Sequence, residues 1–288
     1  MIEGNAEAIE AWNTVLYDKF VRFRRVLIAG LGVHGERAMD RHGPRAGERV
    51  VDLGCGFGDT TIELGKRVGA EGRAVGLDAA ANFIATARKE AADANARNVA
   101  FEVADIEAAV PGGPYDLAYS RMGTMFFASP VIALRNVRKA LRPGGRLCMV
   151  TWRKREANDC MHRAEVVVRE LLGDPPKQDQ VTCGPGPFSM ASADLVGDQL
   201  IAAGYTDLAF ERSDAAIEIG SDLDDALRFA LALGPAGEVV RLSGDAATAR
   251  MPEVTAALRA GLADFVRDDG TVWAPSSCWI VTAHSPAS

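Results

Sequence analysis

The sequence predicts an α/β protein with a doubly wound, Rossmann-like sheet, a helical cap and a helical lid. Short β-rich runs alternate with helical stretches from residue 50 to residue 151, which predicts parallel strands with helices on both faces. Apolar residues recur every three or four positions from Ala6 to Leu27, which predicts an amphipathic helix that precedes the first strand in the sequence. Helical patterns between the last two predicted strands have no place in a minimal sheet and indicate a lid.

Seven strands are predicted in this 288-residue chain. They lie at Val50–Leu53, Ala74–Leu77, Val99–Val103, Leu117–Ser120, Arg146–Thr151, Leu208–Ile219 and Cys278–Ala283. The predicted helices lie at Asp59–Val68, Ala80–Asn95, Pro130–Leu141, Met161–Leu172, Ala193–Ala203, Asp224–Leu233 and Ala246–Val266. Near the N-terminus, Gly30, Gly32 and Gly35 are expected to loosen the chain before a second short helix.

These elements divide the chain into three parts. Residues 1–48 are expected to form the N-terminal helical cap, and residues 49–152 the ligand-binding α/β core. Residues 153–288 would complete the sheet with its final two strands, with lid helices inserted around 153–190 and 222–268.

Composition and charge exclude several classes of function. Lys and Arg total 32 against 39 Asp and Glu, and the net charge of −7 would repel a phosphate backbone, so no nucleic acid is expected as a partner. No run of about 18 uninterrupted apolar residues occurs, and no secretory leader pattern begins the chain, so neither a membrane span nor secretion is expected. The expected partner is a small-molecule substrate, and the expected assembly is a monomer or a homodimer.

The cysteines are scattered without a C-x-x-C pair and are odd in number. They therefore indicate neither a disulfide framework nor a metal site, and a reducing cytoplasm fits them best. They are Cys55, Cys148, Cys160, Cys183 and Cys278.

The most specific motif lies at residues 50–60, which read VVDLGCGFGDT. Gly54, Gly56 and Gly58 stand where a buried strand must turn sharply into a helix, which leaves room for a ligand beside bare backbone. The dinucleotide fingerprint G-x-G-x-x-G requires a glycine where Asp59 stands, so binding of a pyrophosphate is disfavoured. The G-x-G-x-G spacing after an acidic residue is the form that methyltransferases carry.

Two carboxylates follow the next two strands. Asp78 ends the second strand roughly 20 residues beyond the loop, where a carboxylate can accept hydrogen bonds from both ribose hydroxyls. Asp105 follows the third strand, at the edge where ligands of open α/β sheets bind, and suits the amino group of an adenine. Either aspartate alone is more often a helix cap or a loop residue, but their shared position favours a nucleoside site.

Together these residues resemble the class I S-adenosylmethionine (SAM)-dependent methyltransferases over about Arg49 to Trp152. The last two predicted strands are similar to that family's final hairpin, which implies a seven-stranded sheet whose last strand is antiparallel. The sequence LRPGG at residues 141–145 resembles the ubiquinone/menaquinone-biosynthesis C-methyltransferases and their small-molecule relatives. The resemblance implies SAM as the cofactor and S-adenosylhomocysteine (SAH) as its product.

The resemblance also implies roles for individual residues. The loop would flank the methionine portion of SAM, and the residues after the second and third strands would bind ribose and surround adenine. The residue that ends the fourth strand would place a carbonyl near the SAM ammonium. The implied cofactor-binding residues are Asp52, Gly54, Cys55, Gly56, Gly58, Thr60, Asp78, Ala79, Phe83, Ala104, Asp105, Ile106 and Ser120.

The acceptor side offers candidates without assigned roles. An in-line displacement can rest on alignment of nucleophile, methyl and sulfur, so a dedicated base is optional and no catalytic residue is assigned. Arg121 follows the fourth strand and has two candidate partners, an acidic acceptor or Asp105. The candidates for the acceptor pocket are Trp12, Tyr17, His34, Arg121, Phe126, Phe127, Trp152 and His162.

The function expected from the sequence is SAM-dependent methylation of a small, aromatic or apolar acceptor at carbon, oxygen or nitrogen. Two alternatives stay open. An NAD-dependent oxidoreductase shares the sheet and the acidic residue after the second strand, although Asp59 argues against it. A non-catalytic SAM-binding protein would keep the donor site and lack an acceptor site, because a fold alone does not specify function.

Overall fold

The structure is a computed structural model that describes residues 5–175 and 185–287. Cys183, and the part of the predicted lid segment at residues 176–184, lie outside the described residues. The strands are β1 (Arg49–Leu53), β2 (Arg73–Asp78), β3 (Val99–Val103), β4 (Tyr115–Arg121), β5 (Leu141–Trp152), β6 (Thr206–Gly220) and β7 (Val272–His284).

These strands form one mixed sheet in the order β3-β2-β1-β4-β5-β7-β6. Strands β1 to β5 pair in parallel, whereas β7 is antiparallel to both β5 and β6. The prediction of a doubly wound, seven-stranded sheet with an antiparallel last strand is confirmed. Because parallel strands run in one direction, the carboxyl ends of β3, β2, β1, β4 and β5 follow one another along a single edge of the sheet.

Helices cover the sheet and its carboxyl edge. They are α1 (Asn5–Ala11), α2 (Tyr17–Arg22), α3 (Arg24–His42), α4 (Asp59–Val68), α5 (Ala81–Asp93), α6 (Pro130–Ala140), α7 (Asp159–Leu172), α8 (Ala193–Ala203), α9 (Leu223–Ala232), α10 (Pro235–Ala249) and α11 (Met251–Leu262). A π-helical turn, Trp12–Leu16, joins α1 to α2. The bounds of α4, α5 and α6 lie within two residues of those predicted.

The first strand shows why the core could be predicted. Val50, Val51 and Leu53 have no measurable exposure, because helices cover both faces of the parallel sheet. On α4, the buried residues Leu64 and Val68 are four positions apart and face this strand layer. A continuous apolar run followed by a helical period therefore corresponds to a buried strand and the helix that packs on it.

The expected loosening of the chain at Gly30, Gly32 and Gly35 is wrong. Helix α3 runs without interruption through all three glycines. A Cβ at Gly30 would lie 2.9 Å from the carbonyl oxygen of Glu218 on β6, and a Cβ at Gly35 would lie 2.8 Å from the side chain of Arg121. These two glycines let the helix approach the sheet closely, and the contact offsets the roughly 1 kcal/mol that each glycine costs within a helix.

The single helix predicted at Ala246–Val266 is also wrong. Two elements, α10 and α11, occupy Pro235–Ala249 and Met251–Leu262. The chain kinks within α10 at Gly244, where φ is 53° and ψ is −127°, and turns again between the two elements at Arg250, where φ is −108° and ψ is 10°. Pro252, in the first turn of α11, suits the start of a new helix, because proline has no N–H for a bond to the preceding turn. The pattern before Ala246 was missed because Gly237 and Gly244 interrupt it.

Helices α7, α9, α10 and α11 share a small hydrophobic core of their own, in which Val168, Leu227, Val239 and Leu258 are buried. These helices fall within the segments predicted to form a lid, and the division of the chain into cap, core and lid stays a prediction. Among the described helices, none has both the length and the apolar character that a bilayer span requires.

Candidate cofactor and acceptor cavity

The glycine loop begins where β1 ends. Gly54 and Gly56 have φ values of +69° and +53°, a region that residues with a Cβ rarely adopt. A Cβ at Gly54 would lie 2.9 Å from the Cα of Gly123, so this glycine lets two backbone segments touch. A Cβ at Gly56 would meet only the ring of Phe83, at 3.9 Å, so bare backbone faces open space there.

That space is a cavity of about 1330 Å³ over the carboxyl edge of the sheet. Its wall combines the glycine loop, the ends of β2 to β5, the N-terminal helices, α7, α9 and α10. Pockets for one drug-sized ligand usually measure about 300–1,000 Å³. The cavity therefore has room for a cofactor and a second small molecule.

Asp78 lies on the cavity wall at the end of β2. Its Oδ2 accepts a hydrogen bond from the N–H of Gly56 at 3.0 Å, and its Oδ1 accepts one from the N–H of Ala80 at 2.9 Å. Burial raises the pKa of Asp78, while these two N–H groups act to lower it. Because a carboxylate has about four acceptor positions, Asp78 can accept two further bonds from a ligand.

Asp105 follows β3 on the same wall. Its Oδ1 accepts from the N–H of Glu107 at 2.9 Å, and its Oδ2 accepts from the side-chain amide of Asn5 at 2.8 Å. Asn5 begins α1, so the N-terminal helix reaches the region in which the sequence predicts the adenine. The sequence analysis missed Asn5, because no local pattern links it to a residue 100 positions away.

Aromatic rings join the N-terminal helices to the core around Phe83. The ring centroid of Trp12 lies 4.8 Å from that of Phe126 and 6.4 Å from that of Phe83. Tyr17 packs edge-on against Phe83 at 5.1 Å, and its hydroxyl hydrogen-bonds the hydroxyl of Thr86. Trp12 and Phe126 line the cavity, whereas Tyr17 lies behind its wall.

Asp52 lies beneath the loop. It is almost fully buried, and its Oδ2 accepts a hydrogen bond from the hydroxyl of Thr61 at 2.7 Å, which ties β1 to α4. Burial raises the pKa of Asp52 to about 7, against the effect of the Thr61 hydrogen bond. Ser120 is similarly buried, and its hydroxyl donates to the carbonyl oxygen of Leu53. Both side chains support the loop from below and do not line the cavity.

Arg121 pairs with Asp59 on the cavity wall. Its Nη2 donates to Oδ2 of Asp59 at 2.7 Å. Burial acts to lower the pKa of Arg121, but the charge and hydrogen bond of Asp59, together with Tyr119 and Asp52, raise it overall. The sequence analysis named an acidic acceptor or Asp105 as the partner; within the protein the partner is Asp59.

Neither histidine candidate lines the cavity. His34 is fully buried between the hydroxyls of Ser213 and Ser276, at 2.9 and 2.8 Å. Burial, assisted by the charge of Arg37, lowers the pKa of His34 to about 4. His162 lies behind the wall on α7, with its Nδ1 3.7 Å from Oε2 of Glu165. Among the described residues, the cavity wall contains no histidine.

The cavity thus brings together most of the predicted residues. Those on its wall are Gly54, Cys55, Gly56, Asp78, Ala79, Phe83, Ala104, Asp105, Ile106, Trp12, Arg121, Phe126, Phe127 and Trp152. Those that do not contribute to the wall are Asp52, Gly58, Thr60, Ser120, Tyr17, His34 and His162.

Sequence reasoning missed the lid face of the cavity. Met161, Glu165 and Arg169 are spaced by four along α7 and all line the wall. This spacing is the signal that could have found them, because residues four apart lie on one face of a helix. Further wall residues that were missed are Arg155, Cys160, Phe188, Phe229, Leu231 and Leu233.

Part of the chain is similar to known proteins. Aklanonic acid methyltransferase DauC of Streptomyces sp. (strain C5) is 36% identical over 120 residues, which cover 41% of this chain and 54% of that protein. Ubiquinone/menaquinone biosynthesis C-methyltransferase UbiE of Hahella chejuensis is 30% identical over 132 residues, which cover 44% of this chain and 53% of that protein. The chain therefore spans about half the length of these curated relatives.

Among solved structures, the YcgJ protein of Bacillus subtilis is similar with a TM-score of 0.56 at 16% identity, covering 88% of this chain and 99% of that one. At that identity the likeness shows the fold. Residues 44–178 match the family model described as "Methyltransferase domain". Over these residues the chain is similar to a methyltransferase domain.

Proposed function

We propose that the chain transfers the methyl group of SAM to a small, apolar or aromatic molecule. The observation that carries the proposal is one continuous cavity, which joins the glycine loop and Asp78 to a wall of aromatic and aliphatic side chains. A donor site and an acceptor site within one space are what a group transfer requires.

The strand order supports an orientation for the donor. Asp105 follows β3, Asp78 ends β2 and the glycine loop follows β1, so adenine, ribose and methionine would lie over these strands in that order. The reactive end would then face the carboxyl ends of β4 and β5, beside Phe126 and Trp152. The acceptor would occupy the space between these rings and the lid helices.

The residues present fit the cofactor. Asp78 keeps acceptor positions for the two ribose hydroxyls, and Gly56 presents backbone without a side chain. Arg121 and Asp59 together offer a cation and an anion, which complement the carboxylate and ammonium of an amino acid. When bound, SAM supplies an electrophilic methyl group on a sulfonium, which an acceptor atom attacks in line.

The chain's own contribution would be alignment and exclusion of water. Trp12, Phe126 and Trp152 bring rigid aromatic surface to the wall, which suits a planar or apolar acceptor. Because no described histidine lines the cavity, catalysis would depend on positioning of the reactants and not on a histidine base.

Two further points support a small-molecule acceptor. The relatives carry the names of aklanonic acid and of ubiquinone/menaquinone biosynthesis. The net charge of −7 opposes binding of a nucleic acid.

A reducing cytoplasm would suit the buried free thiols of Cys55, Cys148, Cys160 and Cys278.

Titration of the intrinsic tryptophan fluorescence tests the donor site, because Trp12 and Trp152 line the cavity. Saturable quenching by SAM with no response to NADH is expected. Saturation by NADH with none by SAM would favour the NAD-dependent oxidoreductase.

A transfer assay tests catalysis separately from binding. Methyl-tritiated SAM is incubated with the protein and small-molecule extracts of several bacteria, with the Asp78→Asn variant as the control. Label in an acidified apolar solvent phase is expected, with much less label for the variant at a SAM concentration below the variant's dissociation constant. No transfer from any extract, despite normal SAM binding, would favour a non-catalytic SAM-binding protein.

A further inference from the structure

A cluster of charged side chains lies on the lid side of the cavity, away from the glycine loop. Glu165 on α7 is buried, with 3% of its side chain exposed. Its Oε1 accepts hydrogen bonds from Nη1 of Arg155 at 2.5 Å and from Nε of Arg169 at 3.0 Å. All three residues line the cavity.

The cluster is incompletely satisfied. Oε2 of Glu165 is buried and has no hydrogen-bond partner among the described residues, although Nδ1 of His162 lies 3.7 Å away. A buried acceptor without a hydrogen-bond partner destabilises the folded state by about 1–3 kcal/mol, so stability alone does not explain the cluster. A role in holding the two arginines toward the cavity explains why a carboxylate is buried at this position.

Both guanidinium groups retain N–H donors for a ligand. Arg155 is 40% exposed and Arg169 is 36% exposed, and each guanidinium has five N–H donors. Arg155 is also stacked on the ring of Phe188, with its Cζ 5.3 Å from the ring centroid, which restricts its orientation. Arg169 has a second partner, Asp174, but that carboxylate is 87% exposed and is largely screened by water.

On the cavity wall, one carboxylate, Glu165, faces the two guanidinium groups of Arg155 and Arg169. The second carboxylate of the cluster, Asp174, hydrogen-bonds Arg169 from outside the wall, so the four groups together are neutral. Elsewhere on the wall, Arg241 makes two hydrogen bonds to Glu238 at 2.8 and 2.7 Å, which is a balanced pair. A ligand in the cavity therefore meets two guanidinium groups with remaining N–H donors beside a single carboxylate.

We infer that Arg155 and Arg169 bind a carboxylate of the methyl acceptor, and that Glu165 is the residue that positions them. The inference rests on the proposed function and names the substrate class as an apolar, ring-bearing acid. Arg155 follows β5, so this subsite lies at the far side of β4 from the proposed adenine and ribose sites. A planar guanidinium matches a carboxylate with two parallel N–H···O bonds, which a lysine cannot reproduce.

Binding of two probes tests the inference. Naphthalene-2-carboxylate and its uncharged methyl ester are titrated, by tryptophan fluorescence, into protein saturated with SAH and into protein without it. The wild type is expected to bind the acid about tenfold more tightly than the ester, as for a charge-assisted bidentate contact. Arg155→Met and Arg169→Met are expected to abolish this preference, and Arg155→Lys to keep only part of it.

Arg163→Met is the matched control. Arg163 lies on the same helix and has a carboxylate neighbour, Asp264, but does not line the cavity. This variant is expected to keep the wild-type preference. A wild type that binds neither probe, or binds both equally, would overturn the inference, as would a preference that survives Arg155→Met and Arg169→Met.

The SAH titration separates this inference from the proposed function. Normal binding of SAH without an acid preference would overturn the acid-binding subsite alone. Absence of SAH binding would overturn the proposed function, and the probe titrations without SAH would still measure the preference.

Discussion

The substitution Asp78→Asn is expected to weaken the binding of SAH about 10- to 150-fold. The carboxylate accepts from Gly56 and Ala80 and keeps two positions for ribose hydroxyls. An asparagine keeps one oxygen and presents an NH₂ group, which cannot accept, in place of the other. Loss of a hydrogen bond to a charged acceptor costs about 1.5–3 kcal/mol, and that range corresponds to the stated factor.

Isothermal titration calorimetry with SAH measures this change, and circular dichroism confirms that the variant is folded. Asp116→Asn is the matched control, because Asp116 also accepts a backbone N–H, from Arg49 at 2.8 Å, but lies at the opposite end of β4. The control is expected to keep the wild-type affinity. An Asp78→Asn affinity within threefold of the wild type would refute the assignment of the ribose site.

Four other substitutions have distinct expected outcomes. Gly54→Ala and Gly56→Ala both place a Cβ at positive φ, at a cost of about 1–2 kcal/mol, but only the Cβ at Gly54 meets backbone at 2.9 Å. Urea unfolding should therefore show the larger loss for Gly54→Ala, and the reverse order would contradict the packing role. Folding raises the pKa of Asp52 from 3.8 to about 7, so between these pH values the folded chain binds more protons at Asp52 than the unfolded chain does. The free energy of unfolding should therefore fall by about 4 kcal/mol as the pH rises from 3.8 to 7. Asp52→Asn should remove this dependence, and equal slopes of unfolding free energy against pH for the two proteins would contradict it. Arg121→Met should weaken SAH binding about tenfold and leave 5′-methylthioadenosine, which lacks the amino acid end, unchanged; equal losses for both ligands would argue against a contact with the methionine portion.

The elements that could be predicted from the sequence are those whose signal is local. Asp59–Val68 was predicted with the bounds that the structure has, because a glycine turn precedes its apolar period and Gly69 follows it. The carboxylates of Asp78 and Asp105 could be placed at one edge because they follow consecutive strands, and both line the cavity.

The features that were missed depend on contacts between distant segments. Gly30 and Gly35 resemble breaks in a helix until the neighbouring sheet is present, since the space that they leave is filled by residues more than 80 positions away. The same holds for His34, whose two hydroxyl partners come from β6 and β7. A buried histidine whose hydrogen-bond partners come from other strands produces no recognisable pattern in the sequence around it.

The lid side of the site was missed for a different reason. Glu165 and Arg169 read as an ordinary salt-bridged helix face, because glutamate and arginine four apart are common on exposed helices. Only the burial of Glu165, together with Arg155 from a separate turn, distinguishes this cluster from a solvated pair.

The most direct test of the donor site is a crystal structure of the protein with SAH. Both ribose hydroxyls are expected within about 2.6–3.2 Å of the Asp78 carboxylate, with adenine beside Asp105 and the sulfur directed toward the space beneath α7. Density for SAH elsewhere, or in this cavity with the ribose away from Asp78, would contradict it.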